Sequence, residues 1–173
     1  MTRWVALLRG INVGGRNTLP MADLRAMDSD CGGQNVRSYI ASGNLVFDAK
    51  ADVQALTQAL TEALRAYGLE VPVLVLSGDD LRSALMDCPF TPEDPRLVHI
   101  IFALQAFAVD TTLQKALEID IEHLRVDGNV AYLDTPQGFS NSKLAAQLDR
   151  VLGAPGTARN LRSVTKLVQM LDG

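Results

Sequence analysis

The stretch "NVRSYIASGNLVFDA", residues 35–49, decides the fold of this chain. Its two halves, "NVRSYIA" and "NLVFDA", are short runs rich in β-branched and aromatic residues, a composition typical of strands. Ser42-Gly43 lies between them, and a compact polar turn of this kind is typical of a β-hairpin. The two strands are therefore expected to be antiparallel neighbours in one sheet.

The segments on either side of this hairpin have strand and helix patterns. Before it, "RWVALLRG" has the length of a buried strand, and "PMADLRAM" places apolar residues three apart, as on a helix face. After it, apolar residues repeat at three and four from Asp52 to Tyr67, Gly68 ends the pattern, and "VPVLVL" supplies another strand. The first half is therefore predicted to be βαββαβ.

The second half repeats most of this order after a short connecting helix, "GDDLRSALMDC". A β-α-β-β-α order is predicted from the segments "RLVHIIFAL", "TTLQKALE", "HLRV", "VAYLD" and "SKLAAQLDRVLG". The chain then ends in a predicted helix, "ARNLRSVTKLVQML", in place of a final strand. We predict an α+β fold of two ferredoxin-like subdomains with mainly antiparallel sheets. The first spans residues 1–77, and the second, with the connecting and final helices, spans residues 78–173.

The composition is that of a soluble globular protein with an acidic charge balance, which leaves room for a local basic patch. Apolar residues make up 47 % of the 173 residues, charged residues 21 %, and the formal net charge is −4. An acidic balance argues against sequence-independent nucleic-acid binding, which needs a basic face, so nucleic acid is an unlikely partner. The longest apolar stretch runs from Leu97 to Val109 and has 13 residues, whereas a helix that spans a bilayer needs roughly 20. No membrane association is therefore expected.

The two cysteines indicate a reducing compartment. Cys31 and Cys88 are far apart and form no C-x-x-C pair, so neither a disulfide framework nor a cysteine-based zinc site is predicted. The N-terminus lacks the apolar core and cleavage site of a signal peptide. We therefore expect a cytoplasmic protein. His99 and His123 have no neighbouring partners in sequence, so we predict structural histidines, and no metal or cofactor is expected.

The glycine-rich segment "GINVGGRN", residues 10–17, looks most like a binding loop. It has the G-x-x-x-x-G-K-[ST] spacing, but Arg16 replaces the lysine and Asn17 replaces the hydroxyl residue that holds Mg²⁺. A Walker loop also belongs to a parallel sheet, whereas a hairpin follows here. We therefore reject an NTPase, and the glycine spacing also fails the dinucleotide fingerprint.

What remains at this loop is a weaker anion-binding signal. Glycines let backbone N–H groups converge, Arg9 and Arg16 add positive charge, and a helix begins just beyond at Pro20. In the competing interpretation, Gly14 and Gly15 only supply positive φ angles in a tight turn. Both interpretations are kept.

Two further polar stretches are candidate parts of the same site. Ser42 and Asn44 belong to the turn of the predicted hairpin at residues 35–49. We expect this turn at the sheet end opposite the glycine-rich loop, but it could approach loops of the other half if the two halves pack face to face. Arg159 and Asn160 are placed on the final helix, in a basic stripe with Arg162 and Lys166 that starts after an N-cap at Thr157. A plain turn and a solvated helix face are the alternatives.

Several separated blocks of the sequence occur in an order that resembles one protein family. "ALLRGINVGGRNTLPMADLRAM" is followed by "VRSYIASGNLVF" and, near the end, by "SNSKL" and "TARNLRSVTKL". Together they resemble the bacterial DUF1697 family, whose members begin with a similar R-G-I-N-V-G-G segment. The resemblance implies the two-subdomain α+β fold but no established catalytic residue. The family often has lysine after the paired glycines; Arg16 keeps the charge but excludes imine chemistry.

The functional prediction is that the protein binds a small anionic or phosphorylated ligand through the loop at residues 9–17, with no catalytic residue assigned. The alternative is a non-enzymatic module that binds a protein or RNA. The predicted ligand-binding residues are Arg9, Asn12, Gly14, Gly15, Arg16, Asn17, Ser42, Asn44, Arg159 and Asn160.

Overall fold

The computed structural model describes residues 1–173 and divides into two compact units. The first contains residues 1–82 and 167–173, and the second contains residues 83–166. Residues 78–82 and the last seven residues thus group with the first unit, which differs from the division after residue 77 drawn from the sequence. Hydrogen bonds explain the C-terminal part, because Arg3 donates to the carbonyl of Leu171 at 2.6 Å and Arg37 donates to that of Met170.

The first unit is a four-stranded antiparallel sheet covered on one face by two helices. Its elements, in chain order, are β1 (Thr2–Leu8), α1 (Met21–Asp30), β2 (Gln34–Ser38), β3 (Asn44–Ala49), α2 (Val53–Tyr67) and β4 (Val73–Ser77). The strand order is β2-β3-β1-β4, with Val5 opposite Val46 and Ala6 opposite Val75. Leu24 of α1 and Leu60 of α2 are fully buried against the strand residues Leu8 and Phe47. The unit is therefore ferredoxin-like, as predicted.

The caps of α2 explain its length. The Asp52 side chain accepts a hydrogen bond from the Ala55 N–H at 2.8 Å, and Gly68 ends the helix with φ +102°. These are the N-cap and C′ positions that favour aspartate and glycine.

The second unit repeats the architecture. The connecting helix α3 (Gly78–Met86) precedes β5 (Val98–Ala103), α4 (Thr111–Leu117), β6 (His123–Asp127), β7 (Val130–Asp134), α5 (Lys143–Ala146), α6 (Leu148–Leu152), β8 (Gly156–Asn160) and α7 (Leu161–Leu171). The strand order is β6-β7-β5-β8. The predicted helix "SKLAAQLDRVLG" is two short helices separated at Gln147, and the second ends at Gly153 with φ +71°.

The prediction of a final helix in place of a strand was wrong. Residues 156–160 form β8, which pairs antiparallel with β5 so that Ala158 lies opposite Ile101 and Arg159 opposite Ile100. Helix α7 begins only at Leu161. Pairing with β5 outweighs the helix preference of these residues, because the stability of a strand depends more on its pairing partner than on the preferences of its own residues. The second unit is thus also βαββαβ. No helix of the chain has both the length and the apolar run needed to cross a membrane.

Candidate functional site

The glycine-rich loop folds into a small hairpin, residues 12–17, which we call the glycine hairpin. The Arg16 N–H donates to the carbonyl of Val13 at 2.9 Å, and the Asn12 N–H donates to that of Asn17 at 3.0 Å. Gly14 and Gly15, at its tip, have φ +57° and +74°. Two consecutive positive φ angles in a two-residue turn are typical of type I′. The tight-turn interpretation is therefore confirmed for the backbone, while ligand binding stays a prediction.

The composition of this loop follows from its backbone. Its residues with positive φ are Gly10, Asn12, Gly14, Gly15 and Asn17. Every one is a glycine or an asparagine, the residue types that adopt this conformation at the least cost. The glycines and asparagines of this loop are therefore explained by one requirement, a backbone with positive φ angles.

The two asparagines of the hairpin hold it in place. The Asn12 amide donates to the carbonyls of Leu19 at 2.9 Å and Ala41 at 2.7 Å, and its oxygen accepts from the Leu19 N–H at 2.7 Å. The Asn17 amide donates to the carbonyl of Gly10 at 2.9 Å. Both side chains, predicted to bind a ligand, thus make hydrogen bonds within the loop, and Asn12 also bonds to Ala41 between β2 and β3.

The expectation that the β2–β3 loop lies at the opposite sheet end was wrong. Leu7 is opposite Asn44 in the ladder, and the Leu8 N–H donates to the carbonyl of Gly43 at 2.9 Å. The end of β1 and the start of β3 meet because the two strands are antiparallel. The bond from Asn12 to Ala41 then joins the glycine hairpin to the β2–β3 loop.

Residues of the β2–β3 loop are unusually constrained. Asn44 is fully buried, and its amide donates to the carbonyl of Tyr39 at 2.9 Å and to Ser42 Oγ at 3.0 Å. Between them, Ile40 has φ +48° with a side chain that is 51 % exposed. A β-branched residue rarely adopts this conformation, and such strain is concentrated at functional sites.

The tip of the glycine hairpin presents two side chains to solvent. Val13 is 63 % exposed and Arg16 is exposed across the turn from it. Arg9, at the base, is half-buried, and its N–H donates to the carbonyl of Pro72 at 3.0 Å. The exposed cation of this loop is therefore Arg16.

The structure corrects the basic stripe predicted for the final helix. Arg159 lies on β8, where it is 8 % exposed and donates to Thr157 Oγ1 at 2.8 Å; burial lowers its pKa to about 10. The Asn160 side chain accepts from the Ser163 N–H at 2.8 Å and caps α7. Only Arg162 and Lys166 of the stripe lie exposed on the helix.

The equivalent connection of the second unit has a different character. Residues 104–110, between β5 and α4, include neither glycine nor asparagine, and Phe107 and Val109 pack against that unit's core. This connection has seven residues, whereas the one between β1 and α1, residues 9–20, has twelve. A βαββαβ unit therefore closes without a projecting hairpin, and the first unit's hairpin is an addition to the fold.

Sequence reasoning missed a buried acid in the first unit. Asp28, on α1, has no exposed surface, and neither carboxyl oxygen has a hydrogen-bond partner. A Cβ on Gly33 would lie 2.1 Å from Asp28 Oδ2, so only glycine leaves room for this carboxyl. Burial raises the pKa of Asp28 to about 7. The sequence did contain one signal for this burial. Asp28 follows the apolar residue Leu24 by four positions, and that spacing puts both side chains on one face of the helix.

The histidines lie in different surroundings of the second unit. The His99 ring lies 4.1 Å from that of Phe139, its Nδ1 is buried without a partner, and burial lowers its pKa to about 4. His123 stacks near Phe90 with ring centroids 6.4 Å apart. A histidine held neutral against a phenylalanine acts as a packing residue at neutral pH.

Comparison with known proteins agrees with the sequence resemblance. A family model described as "Protein of unknown function (DUF1697)" matches residues 1–132. The chain is also similar to a solved structure, that of the conserved bacterial protein SP0830 from Streptococcus pneumoniae. The two are 26 % identical, with a TM-score of 0.73 and coverage of 98 % of each chain. No curated protein matches the chain.

Proposed function

Since the chain belongs to the DUF1697 family, whose description leaves the function unknown, we propose a function from the candidate site itself: the protein binds an anionic group through the tip of the glycine hairpin. One observation carries this proposal. An exposed arginine, Arg16, stands at the end of a hydrogen-bonded turn that the corresponding connection of the second unit lacks.

The chemistry of the tip suits an anion. A guanidinium group binds a carboxylate or phosphate through two parallel hydrogen bonds, which are shorter and stronger than those between neutral groups. Gly14 and Gly15 have no side chains, and no atom lies within 4 Å of where their Cβ atoms would stand. An oxygen of the ligand therefore has open access to the backbone beside Arg16.

The rigidity of the turn supports the same proposal. The bonds of Asn12 and Asn17 fix the hairpin before any ligand arrives, so binding costs little conformational entropy. Our first candidate ligand is a small phosphorylated metabolite or nucleotide in the cytoplasm. The proposed compartment rests on the unpaired thiols of Cys31 and Cys88.

A second candidate is a macromolecular partner that carries the anionic group. The exposed apolar side chains of Val13 and Ile40 favour it, because a small phosphorylated ligand does not need them. Isolation of a stoichiometric protein or RNA partner, together with no response to small molecules, would support this candidate over the first.

Replacement of Arg16 tests the proposal. We expect one or more compounds in a panel of nucleotides and sugar phosphates to raise the melting temperature, since a ligand at about 100 times its Kd adds roughly 2.7 kcal/mol of stability. Arg16→Ala should remove this shift and change the stability of the free protein by less than about 1 kcal/mol, as for other exposed charges.

Arg125→Ala is the matched control, because Arg125 is an exposed arginine on β6 of the second unit. It should keep the shift of the parent. An Arg16→Ala protein that binds as tightly as the parent would leave the glycine hairpin as a turn only.

A further inference from the structure

The first unit has a concave region on its sheet that the glycine hairpin does not include. Its lining residues are Arg3, Asn35, Val36, Arg37 and Gly173, and its volume is about 520 Å³. We call it the arginine hollow. Ligand sites in proteins typically have volumes of about 300 to 1,000 Å³, so the size suits a small molecule.

One of the two arginines in the hollow is neutralised. Arg3 Nε and Nη2 donate to the two carboxylate oxygens of Asp48 at 2.8 and 3.1 Å. The Asn35 amide also donates to Asp48, at 3.0 Å. These bonds hold the pKa of Asp48 at about 2, so its negative charge stays matched to Arg3.

Arg37 forms no direct ion pair with a carboxylate side chain, although Asp48 also interacts with its charge at longer range. The hydrogen-bond partner of Arg37 is the main-chain carbonyl of Met170, a neutral acceptor that leaves the other guanidinium donors available. Arg3, Arg37 and Asp48 thus lie together on a half-buried wall, where screening is weaker than in bulk water, and Asp172 also acts on Arg3.

The backbone beside Arg37 leaves the regular sheet. The register between β2 and β3 shifts between Gln34 and Arg37, and Asn35 has φ +52°. A bulge of this kind bends an edge strand and redirects its side chains, and bulges are over-represented next to active sites. Here the shift falls on Asn35 and Val36, two of the lining residues.

From the concavity, the guanidinium that has only a main-chain hydrogen-bond partner and the bulge, we propose that the arginine hollow binds a carboxylate or phosphate group through Arg37, independently of the glycine hairpin. Arg3, fixed by Asp48, lines the hollow with it. The ligand is a small anion with at least two oxygens on one atom, the geometry that a guanidinium fork recognises.

Titration with inorganic phosphate and with acetate, at constant ionic strength, tests this proposal by NMR. The Arg37 Nε–H signal and the amide signals of Asn35 and Val36 should shift in a saturable way. Saturation by phosphate alone assigns a phosphoryl ligand, and saturation by acetate also assigns a carboxylate ligand. Repeating the titration on a chain extended by Gly-Ser-Gly-Ser after Gly173 ensures that no terminal carboxylate competes beside Arg37.

Two variants separate binding from folding. Arg37→Gln can still donate to the Met170 carbonyl but loses the charge, so the affinity should fall by about tenfold or more. Arg37→Lys should retain part of the affinity, and Arg125→Ala should retain all of it. The absence of saturable shifts in the parent, or unchanged shifts in a folded Arg37→Gln protein, would overturn the proposal whatever the glycine hairpin does.

Discussion

Asp28 shows how one buried group sets a pH dependence. Its folded pKa of about 7 lies above the value of roughly 3.9 for an exposed aspartate, so the unfolded chain ionises first as the pH rises. The folded state is then penalised progressively from about pH 4 to about pH 7, and the penalty stays constant at higher pH. Burial raises the pKa of the neighbouring Cys31 thiol, and the charges of Asp28, Asp30 and Glu62 raise it further.

Replacing this aspartate by its uncharged isostere should remove its contribution to the pH dependence. We expect Asp28→Asn to be more stable than the parent at pH 8 by about 2 to 4 kcal/mol, and this difference to shrink as the pH falls from about 7 to about 5. Urea unfolding of both proteins from about pH 5 to pH 8 measures it. Two other groups affect stability in the opposite direction. Asp48 loses its stabilisation only as the pH falls from about 4 toward its folded pKa of about 2, and buried His99, with a folded pKa of about 4, adds stability as the pH rises toward about 6.5. Both are present in parent and variant, so they cancel in the difference. A difference between parent and Asp28→Asn that stays constant from pH 5 to pH 8 would contradict the assignment.

At the level of the secondary-structure elements, the glycine hairpin and the β2–β3 loop impose different demands on their glycines. Gly14 has φ +57° with open space around its missing Cβ, whereas Gly43 has φ +87° and a Cβ there would lie 2.7 Å from Ile11 Cδ1 and 2.9 Å from Leu8 Cβ. Conformation alone restricts the first glycine, and both conformation and packing restrict the second.

These two glycines make a matched pair of substitutions. Gly14→Ala should cost about 1 to 2 kcal/mol, the penalty of a Cβ at positive φ. Gly43→Ala should cost more, about 3 kcal/mol or above, because the steric overlap adds to that penalty. Chemical denaturation of both variants measures the difference, and equal losses would show that the β2–β3 loop relaxes around the new side chain.

The same elements show how far sequence reasoning reaches. The turn at Gly14-Gly15 and the 35–49 hairpin were predictable, because each needs residue types that few other conformations require. Strand β8 was not, because "TARNL" has no strand pattern of its own and becomes a strand only by pairing with β5. The hydrogen bond from Asn12 to the Ala41 carbonyl was also missed, because it depends on the antiparallel pairing of β1 with β3 and on the position of a single side chain.

At the scale of the whole molecule, side chains hold together residues from opposite parts of the chain. Arg3 bonds to Asp48 and to the Leu171 carbonyl, 168 positions away in sequence. Arg82 pairs with Asp172 at 2.8 Å, but the Asp172 side chain is 69 % exposed. The two arginines are similarly exposed, but their carboxylate partners differ in burial, with 13 % of the Asp48 side chain exposed against 69 % for Asp172, and the contributions of the two pairs to stability should differ accordingly.

Substitution of each arginine measures this difference. Arg3→Ala should destabilise the protein by about 1 to 3 kcal/mol, because it leaves the Asp48 carboxylate, 13 % exposed, without its bidentate partner. Arg82→Ala should cost less than about 1 kcal/mol, as is usual for exposed pairs. Hydrogen exchange should also accelerate for residues 167–173 in the first variant only. A loss in Arg82→Ala as large as that in Arg3→Ala would contradict this ranking.

The two-subdomain fold was predictable because its pattern occurs twice along the chain, so each half supports the assignment of the other. The boundary between the units was not, since the grouping of residues 167–173 with the first depends on arginine side chains rather than on local patterns.

The connection between β5 and α4 offers a genetic tool. The seven residues "LQAFAVD" close one βαββαβ unit without a projection, so a seven-residue bridge in place of residues 9–20 has a working precedent in the same polypeptide. An allele encoding such a bridge, with apolar residues where Ile11 and Leu19 are buried, would keep the protein and delete the projection alone. A cell carrying that allele would distinguish what the organism needs from the hairpin and what it needs from the rest of the protein.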